Sequence, residues 1–360
     1  MNTEIIKIIE GGIKGDKEKV INYSKVLSNN LKLKGDERLA NRILKVISQN
    51  NSGFIGMDSL GSKPVDQESR LEIVDITMPY NDNNKLFFNS FIEEEICDFI
   101  KSFEMQDELK KFGIHPDNTL LLYGPPGCGK TSLTKYLSYK TDLPLITARL
   151  DVLLSSLLGS TAKNIRKIFD YASKRPCILF LDEFDAIAKV RDDKNELGEL
   201  KRVVNSLLQN IDEFSENSIL VAATNHHEVL DKAIWRRFTK VLELDKPSKE
   251  VINEIIYNMI TELDIKLDVN EKKWIYILNV FEGLSPADIK TILNTVVKKS
   301  ILNNSKSINL ISIIYESYLF KKHSVKDENE LIRYLNDNGA TQKEISDFLK
   351  ISLRKVREVL

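Results

Sequence analysis

The chain has 360 residues, which is long enough for about two or three domains. Its 52 basic and 53 acidic residues nearly cancel, so net charge gives the whole chain no attraction to nucleic acid or to a membrane surface. The three cysteines are scattered, which predicts no disulfide framework. The chain shows no secretory pattern and no apolar run near the ~20 residues that a membrane span needs. These observations together predict a cytoplasmic protein.

The first segment, residues 1–50, is predicted to form a small helical domain. Within it, the stretch DKEKVINYSKVLSNNLKL has apolar residues at spacings of three and four, which places them on one face of a helix. These faces either pack against one another or dock a partner, and the pattern leaves both open. Residues 51–86 are predicted to be a linker, which is rich in Gly, Ser, Asn and Asp at first and contains a strand candidate at 71–78.

Residues 87–246 are predicted to form an α/β core. After a helical pattern at about 89–103, short apolar runs alternate with amphipathic stretches. This alternation predicts a parallel sheet that is covered by helices on both faces. Beyond Pro247 the pattern becomes wholly helical.

A glycine-rich segment lies between a strand candidate and a helix. Gly124–Thr131 has the P-loop spacing of Gly, four residues, Gly, Lys and Thr. Glycines let backbone N–H groups turn inward around phosphate oxygens, and the helix points its positive end at the same charge. Lys130 is predicted to reach the β- and γ-phosphates of ATP, and the Thr131 hydroxyl to bind Mg²⁺. Cys128 is either a small residue at a variable loop position or a thiol whose pKa is lowered beside Lys130.

A second motif is an apolar run that ends in two carboxylates. Residues 177–181 are apolar throughout, which suits a strand buried on both faces, and Asp182 and Glu183 follow directly. Ligands of open α/β sheets bind at the C-terminal ends of the strands. Asp182 is therefore predicted to hold Mg²⁺ through its water shell, and Glu183 to orient and polarise the attacking water.

Four segments occur in a fixed order along the core: Gly124–Thr131, Leu181–Ala188, Ala222–Asn225 and Leu230–Phe238. As a set they resemble the AAA ATPases, in the branch with the second region of homology, over about 87–300. The resemblance implies an α/β P-loop AAA core with a parallel sheet, a helical lid at 247–325, and hydrolysis of ATP with Mg²⁺. The nucleotide-binding residues that it implies are Gly124, Pro125, Pro126, Gly127, Cys128, Gly129, Lys130, Thr131 and Ser132.

The resemblance also implies roles that spacing alone does not give. Asn225 matches the polar residue that senses the γ-phosphate and helps to position water. Arg236 and Arg237 match the paired arginines that this family inserts into the site of the neighbouring subunit, which implies a ring of identical chains, usually a hexamer. Without the resemblance, these two arginines would be interpreted as a solvated basic turn.

Two more segments bear on the resemblance. Gly283–Asp288 is similar to the Gly-x-Ser-Gly-Ala-Asp turn of the family's lid, with Ser285 as a helix N-cap and Pro286 at the first helical position. Translocating members carry an aromatic–aliphatic–glycine pore loop, whereas this chain has Leu157 there, followed by Leu and Gly. Leu157 either grips a client or packs into the core.

The last segment, residues 326–360, resembles a helix-turn-helix core, although Lys350 stands where the turn usually has glycine. Lys350, Arg354, Lys355 and Arg357 cluster on the second helix, which is consistent with contact to DNA phosphates. Such modules also serve as protein adaptors, so both uses stay open.

Two functions follow from this organisation. The first is a ring-shaped motor that couples ATP hydrolysis to the remodelling, unfolding or disassembly of a macromolecular client, most simply a protein. The alternative is a nucleotide-switched ATPase that the C-terminal module targets to DNA. The order of helical start, AAA core and helix-turn-helix-like end also resembles bacterial AAA ATPases found beside a separate subtilisin-like protease in anti-phage operons, which implies a protease partner.

Overall fold

The computed structural model describes the α/β core, the helical region after it and the C-terminal helices. The described residues are 63–65, 72–80, 85–150, 158–188, 197–263, 265–303 and 307–360, together with a few positions before residue 29. The predicted N-terminal helical domain at 1–50 and most of the predicted linker at 51–86 lie outside the described residues.

A six-stranded sheet forms the centre of the core. Its strands are β1 (Val74–Thr77), β2 (Thr119–Tyr123), β3 (Leu145–Ala148), β4 (Ile178–Leu181), β5 (Ile219–Thr224) and β6 (Lys240–Glu243). Their order across the sheet is β1-β3-β4-β5-β2-β6, and every neighbouring pair is parallel except β1 with β3. The predicted α/β fold is confirmed, and β1 adds an antiparallel strand at one edge. Parallel neighbours need a crossover connection, whereas an antiparallel neighbour does not. Because β1 precedes the first βα unit, it can run in the opposite direction to β3.

Helices cover both faces of this sheet. The helices of this part of the chain are α1 (Ser90–Glu104), α2 (Gln106–Lys111), α3 (Lys130–Thr141), α4 (Leu158–Ala172), α5 (Asp185–Ala188), α6 (Leu197–Asp212) and α7 (Lys232–Trp235). Side chains of α1 and α3 pack on one face, and side chains of α4 and α6 pack on the other. Along β4, Leu179 and Leu181 point into one apolar core, whereas Ile178 and Phe180 point into the other. This two-sided burial explains why the strand is apolar throughout.

The region after the sheet has an apolar core of its own. Its helices are α8 (Lys249–Leu263), α9 (Glu271–Phe281), α10 (Pro286–Leu302), α11 (Leu310–Lys322), α12 (Glu328–Asp337), α13 (Gln342–Leu349) and α14 (Leu353–Val359). The prediction of helices alone was wrong here, because β7 (Lys266–Asp268) and β8 (Ser307–Asn309) form a parallel pair. Strands of three residues are too short to give a periodic signal. In the described part of the chain, no helix combines the length and the apolarity that crossing a membrane requires.

The C-terminal helices α12, α13 and α14 pack into the same apolar core as helices α8 to α11, which form the predicted lid. Ile345 of α13 and Val356 of α14 are fully buried in the same apolar cluster as Phe281 of α9. In addition, Lys273 of α9 donates hydrogen bonds of 2.7 and 2.8 Å to the two carboxylate oxygens of Glu344. The lid and the C-terminal helices therefore share buried surface, and the domain boundary at 326 stays a prediction.

Gly339, in the turn between α12 and α13, should tolerate no side chain. Its φ is +95°, and a Cβ there would lie 2.6 Å from ring carbons of Tyr276. Gly113 is a matched control, since its φ is +73° and a Cβ there would meet nothing within 4 Å. We expect Gly113→Ala to lower the free energy of unfolding by about 1–2 kcal/mol, because alanine is strained in this left-handed backbone conformation. Gly339→Ala should cost about 1–3 kcal/mol more, because the ring must move. Denaturant unfolding of both variants measures the difference, and equal losses would contradict the packing of Gly339 on Tyr276.

Candidate active site

The predicted phosphate loop connects β2 to α3, as its sequence indicated. Gly124 has a φ of +134°, and a Cβ there would come within 2.3 Å of the backbone oxygen of Leu244, so only glycine fits. Helix α3 begins at Lys130, directly after the loop. The N-terminus of α3 and the loop N–H groups together form the arrangement that binds phosphates in P-loop proteins. Pro125 and Pro126 lie between the glycines, and Ser132 is exposed in the first turn of α3.

Lys130 is buried and held by its own loop. Its ammonium donates hydrogen bonds of 2.7 Å to the Gly124 carbonyl and 2.9 Å to the Pro125 carbonyl. Burial lowers the pKa of Lys130, and the charges of Asp182 and Asp185 are among those that oppose this shift. The ammonium is therefore fixed at the mouth of the loop, where a phosphate would add a further stabilising charge.

Thr131 and Asp182 bring two oxygens together across the loop and the sheet. The Thr131 hydroxyl donates a 3.1 Å hydrogen bond to one carboxylate oxygen of Asp182. A hydroxyl and a carboxylate are hard oxygen ligands, and Mg²⁺ in nucleotide sites typically takes one or two such protein groups and completes its shell with water and phosphate. No group of three or more His, Cys, Asp or Glu side chains that could hold a metal occurs among the described residues. The pair fits Mg²⁺ bound together with a nucleotide.

Glu183 lies in a tight turn after β4. It is exposed, and its backbone has a φ of +52°, a left-handed conformation that is uncommon for a residue with a side chain. The N–H of Phe184 donates a 2.8 Å hydrogen bond to the Ala223 carbonyl of β5, which fixes the turn against the neighbouring strand. This geometry presents the Glu183 carboxylate to solvent at the C-terminal edge of the sheet.

Asn225 follows β5 at the same edge. Leu181 of β4 is in register with Ala222 of β5, so the segments after these parallel strands leave the sheet side by side. The side-chain oxygen Oδ1 of Asn225 is buried and has no hydrogen-bond partner among the described residues. A buried acceptor without a partner costs about 1–3 kcal/mol, so its presence needs an explanation. A hydrogen-bond donor that is present only when the nucleotide is bound, such as a water, would explain this acceptor.

Cys128 is buried inside the loop, and its thiol lies 3.9 Å from the Pro126 carbonyl. Burial raises the pKa of Cys128, although the nearby Lys130 charge acts in the opposite direction. The alternative of a thiol with a lowered pKa is therefore not supported. Cys128 fits the interpretation of a small buried residue at a loop position.

The two arginines after α7 differ in their surroundings. The side chain of Arg236 is exposed and makes no hydrogen bond or ion pair among the described residues. Arg237 is half-buried: its Nε lies 3.2 Å from Asp212 at the end of α6, and it donates a 2.8 Å hydrogen bond to the Ala233 carbonyl. The family resemblance implies the same role for both arginines, whereas, of the two, Arg236 has the side chain that the rest of the described chain leaves unengaged.

The lid contacts the phosphate loop directly. Ser285 and Asp288 form the predicted capping box at the start of α10, with Pro286 in the first turn. The N–H of Ala287 donates a 3.3 Å hydrogen bond to the Gly127 carbonyl, and a Cβ on Gly127 would lie 2.5 Å from the Ser285 hydroxyl oxygen. The first turn of α10 therefore rests on the predicted phosphate loop.

The structure leaves one predicted residue undescribed and adds three residues that sequence reasoning did not single out. Leu157 lies outside the described residues, so its two interpretations stay predictions. Sequence reasoning did not single out Asp185, Thr224 or Asp212, which form buried or paired contacts around the site. Asp185 and Thr224 stand inside the quoted motifs Leu181–Ala188 and Ala222–Asn225, so the signal was present but a contact between the two segments could not be foreseen.

The comparisons with known proteins agree with this geometry. A family model described as "ATPase family associated with various cellular activities (AAA)" matches residues 120–246. The "Uncharacterized AAA family ATPase y4kL" of Sinorhizobium fredii is 37% identical over 241 residues, which cover 67% of this chain and 72% of that protein. The chain belongs to the AAA ATPase family. It is therefore an ATP-binding enzyme that hydrolyses ATP.

Other AAA proteins are also similar to this chain. The "Proteasome-activating nucleotidase" of Sulfurisphaera tokodaii is 31% identical over 239 residues, which cover 63% of this chain and 59% of that protein. A crystal structure of the FIGL-1 AAA domain in complex with ADP superposes with a TM-score of 0.55 at 19% identity, and the superposition covers 74% of this chain and 92% of that one. This second likeness establishes the AAA fold of the chain.

Proposed function

We propose that this AAA ATPase assembles into a ring, usually a hexamer in this family, and couples ATP hydrolysis to the remodelling, unfolding or disassembly of a protein client. The observation that carries the proposal is the convergence of four groups at one edge of the sheet. The phosphate loop with Lys130, the Thr131–Asp182 pair, Glu183 and Asn225 all lie there. They are the groups that phosphoryl transfer to water needs: a phosphate cradle, metal ligands, a base and a water-orienting group.

Each side chain has a distinct proposed task. Lys130 and the loop bind the β- and γ-phosphates, while Thr131 and, through its water shell, Asp182 would hold Mg²⁺, which would neutralise the charge that develops on the phosphates. Glu183 accepts a proton from the attacking water. The buried Oδ1 of Asn225 accepts a hydrogen bond from the same water and so fixes its direction.

The ring is proposed because the two arginines are candidates for completing the site of a neighbouring subunit. An arginine that reaches a neighbouring site stabilises the transition-state charge, with effects of about 10³–10⁵ in rate where this has been measured in GTPases. Arg236 is exposed and unpaired among the described residues, which supports it as the residue that crosses the interface. Arg237 would first have to leave Asp212 and the Ala233 carbonyl.

Two observations favour a protein client over DNA. Relatives from Sulfurisphaera tokodaii and Haloferax volcanii are, by their names, proteasome-activating nucleotidases. Moreover, two of the four basic residues predicted to contact DNA are paired within the chain, Arg354 with Glu358 at 2.9 Å and Lys355 with Glu328. Paired cations release fewer counterions on binding DNA, so they contribute less to affinity. A separate subtilisin-like protease as partner and a cytoplasmic location stay predictions.

The choice between protein and DNA can be tested on the full-length enzyme. We expect its ATPase rate to rise several-fold with casein, an unstructured protein, and to stay unchanged with duplex DNA at low salt. The control is Arg354→Ala/Arg357→Ala, which removes exposed cations but spares the buried residues that a deletion of 328–360 would take from the lid core. Stimulation by DNA that falls with salt and is lost in this variant would support the alternative function. Stimulation by neither probe would contradict both functions.

A further inference from the structure

A buried hydrogen bond links the turn of Glu183 to the strand that precedes Asn225. The Thr224 hydroxyl donates a 3.0 Å hydrogen bond to Oδ1 of Asp185. Thr224 is only 1% exposed and Asp185 only 7% exposed. In a site shielded from water, such a bond to a carboxylate is stronger than a bond between neutral groups. It adds a side-chain link to the backbone hydrogen bond from Phe184 to Ala223.

The same hydroxyl also fixes the backbone around Asn225. It accepts a 3.0 Å hydrogen bond from the N–H of His226, so Thr224 bonds across Asn225 to the next residue in the chain. A hydroxyl has one hydrogen to donate and lone pairs to accept, and here both capacities are used. One side chain therefore joins the segments that carry Glu183 and Asn225.

This link has a physical reason. The left-handed backbone of Glu183 costs about 1–3 kcal/mol and persists only where the surroundings hold it. Asp185, two residues later, is a buried carboxylate that needs hydrogen-bond donors to remain there. The Thr224–Asp185 bond supplies one such donor and ties the turn that presents Glu183 to the neighbouring strand.

We infer that Thr224 and Asp185 are positioning residues for hydrolysis: they hold Glu183 and Asn225 in a fixed relative orientation around the attacking water, and neither touches the nucleotide. The inference rests on the proposed roles of Glu183 and Asn225. Displacing a reacting group by about 1 Å can cost about 100-fold in rate, so a pair that sets this orientation controls kcat and not the affinity for ATP.

The test compares Thr224→Val, which keeps the shape but removes the hydroxyl, with Thr224→Ser, which keeps the hydroxyl. Thr224→Val should lower kcat by about 10- to 100-fold. Its KM and its dissociation constant for a fluorescent ATP analogue should stay within about threefold of wild type. Thr224→Ser should recover most of kcat. A merely structural threonine would not give this separation of kcat from KM together with rescue by serine.

Thr224→Val leaves the Asp185 carboxylate buried without this donor, which can lower stability. The double variant Thr224→Val/Asp185→Leu removes both polar partners of this bond, so that no carboxylate stays buried without this donor, while the N–H of His226 loses its acceptor in both variants. We expect the double variant to melt at a higher temperature than Thr224→Val and still to hydrolyse as slowly as Thr224→Val. Recovery of kcat together with stability would overturn the inference, because the loss would then come from a carboxylate that lacks the Thr224 donor and not from a change in the orientation of Glu183.

Further outcomes decide between the two proposals, the positioning role and the proposed function of the site. A normal kcat in Thr224→Val, or a Thr224→Ser variant as slow as Thr224→Val, would overturn the positioning role. Glu183→Gln and Asn225→Ala are measured in parallel. If these two variants are slow while Thr224→Val is normal, only the positioning role fails. If they hydrolyse ATP at the wild-type rate, the proposed function of the site fails with it.

Discussion

Replacing Glu183 by Gln should stop ATP hydrolysis while the enzyme still binds ATP. The amide has nearly the same size as the carboxylate, but it cannot accept a proton from the attacking water, so kcat should fall by about 10²–10⁴-fold. Thr131, Asp182 and Lys130 are untouched, so the affinity for ATP should stay within about threefold of wild type. Single-turnover hydrolysis and equilibrium binding of a fluorescent ATP analogue measure the two quantities separately.

Two variants serve as controls for this result. Lys130→Ala removes the buried ammonium at the mouth of the loop and should weaken ATP binding itself. Glu104→Gln makes the same chemical change as Glu183→Gln on the exposed surface of α1 and should alter neither quantity. Turnover by purified Glu183→Gln at the wild-type rate would remove Glu183 from the mechanism.

Mixing two inactive variants should restore ATPase activity. If Arg236 acts on the neighbouring site, Arg236→Ala and Glu183→Gln enzymes are each inactive, because every site of a uniform ring lacks one group. In a random equal mixture, half of the sites have an intact Glu183 and half of their neighbours have an intact Arg236. The mixture should therefore recover about one quarter of the wild-type activity if the sites work independently.

The control mixture combines Glu183→Gln with Glu183→Gln/Arg236→Ala, in which no site has an intact Glu183. It should stay inactive. The same experiment with Arg237→Ala tells the two arginines apart, because loss of Arg237 also leaves Asp212 without its partner at 3.2 Å. We expect weaker recovery there. An Arg236→Ala enzyme that is fully active alone, or wild-type activity that is independent of dilution down to a monomer, would contradict a shared site.

The sequence predicted most of the core because its signals are local. The alternation of apolar runs with amphipathic stretches depends on neighbouring residues alone, and the run before Asp182 is apolar because β4 is buried on both faces. The P-loop was equally clear, because its structural requirements restrict the residue types in the loop. Gly124 lies against the backbone of Leu244, where no side chain fits, and helix α3 begins at Lys130. The three-residue strands β7 and β8 escaped because they depend on a pairing between distant segments.

Contacts between segments that are far apart in the chain could not be predicted from the sequence. Thr224 and Asp185 are 39 residues apart, and the Arg237–Asp212 pair and the Ala287–Gly127 hydrogen bond also join separate segments. No spacing rule predicts such pairs, because they arise only when the sheet brings strand ends together. The family resemblance implies one role for Arg236 and Arg237, and only the fold separates the exposed Arg236 from Arg237, which is paired with Asp212 of the same chain.

The buried surface that the lid shares with the C-terminal helices joins them into one packed unit. At one end of this unit, the N–H of Ala287 in the first turn of α10 is hydrogen-bonded to Gly127 of the phosphate loop, and α13 and α14 lie in the same apolar core. Because close-packed interiors transmit small shifts, we expect a displacement of the loop on nucleotide binding to reach α13 and α14. A probe attached to α13 would report the nucleotide state of the site rather than a motion of the C-terminal helices by themselves.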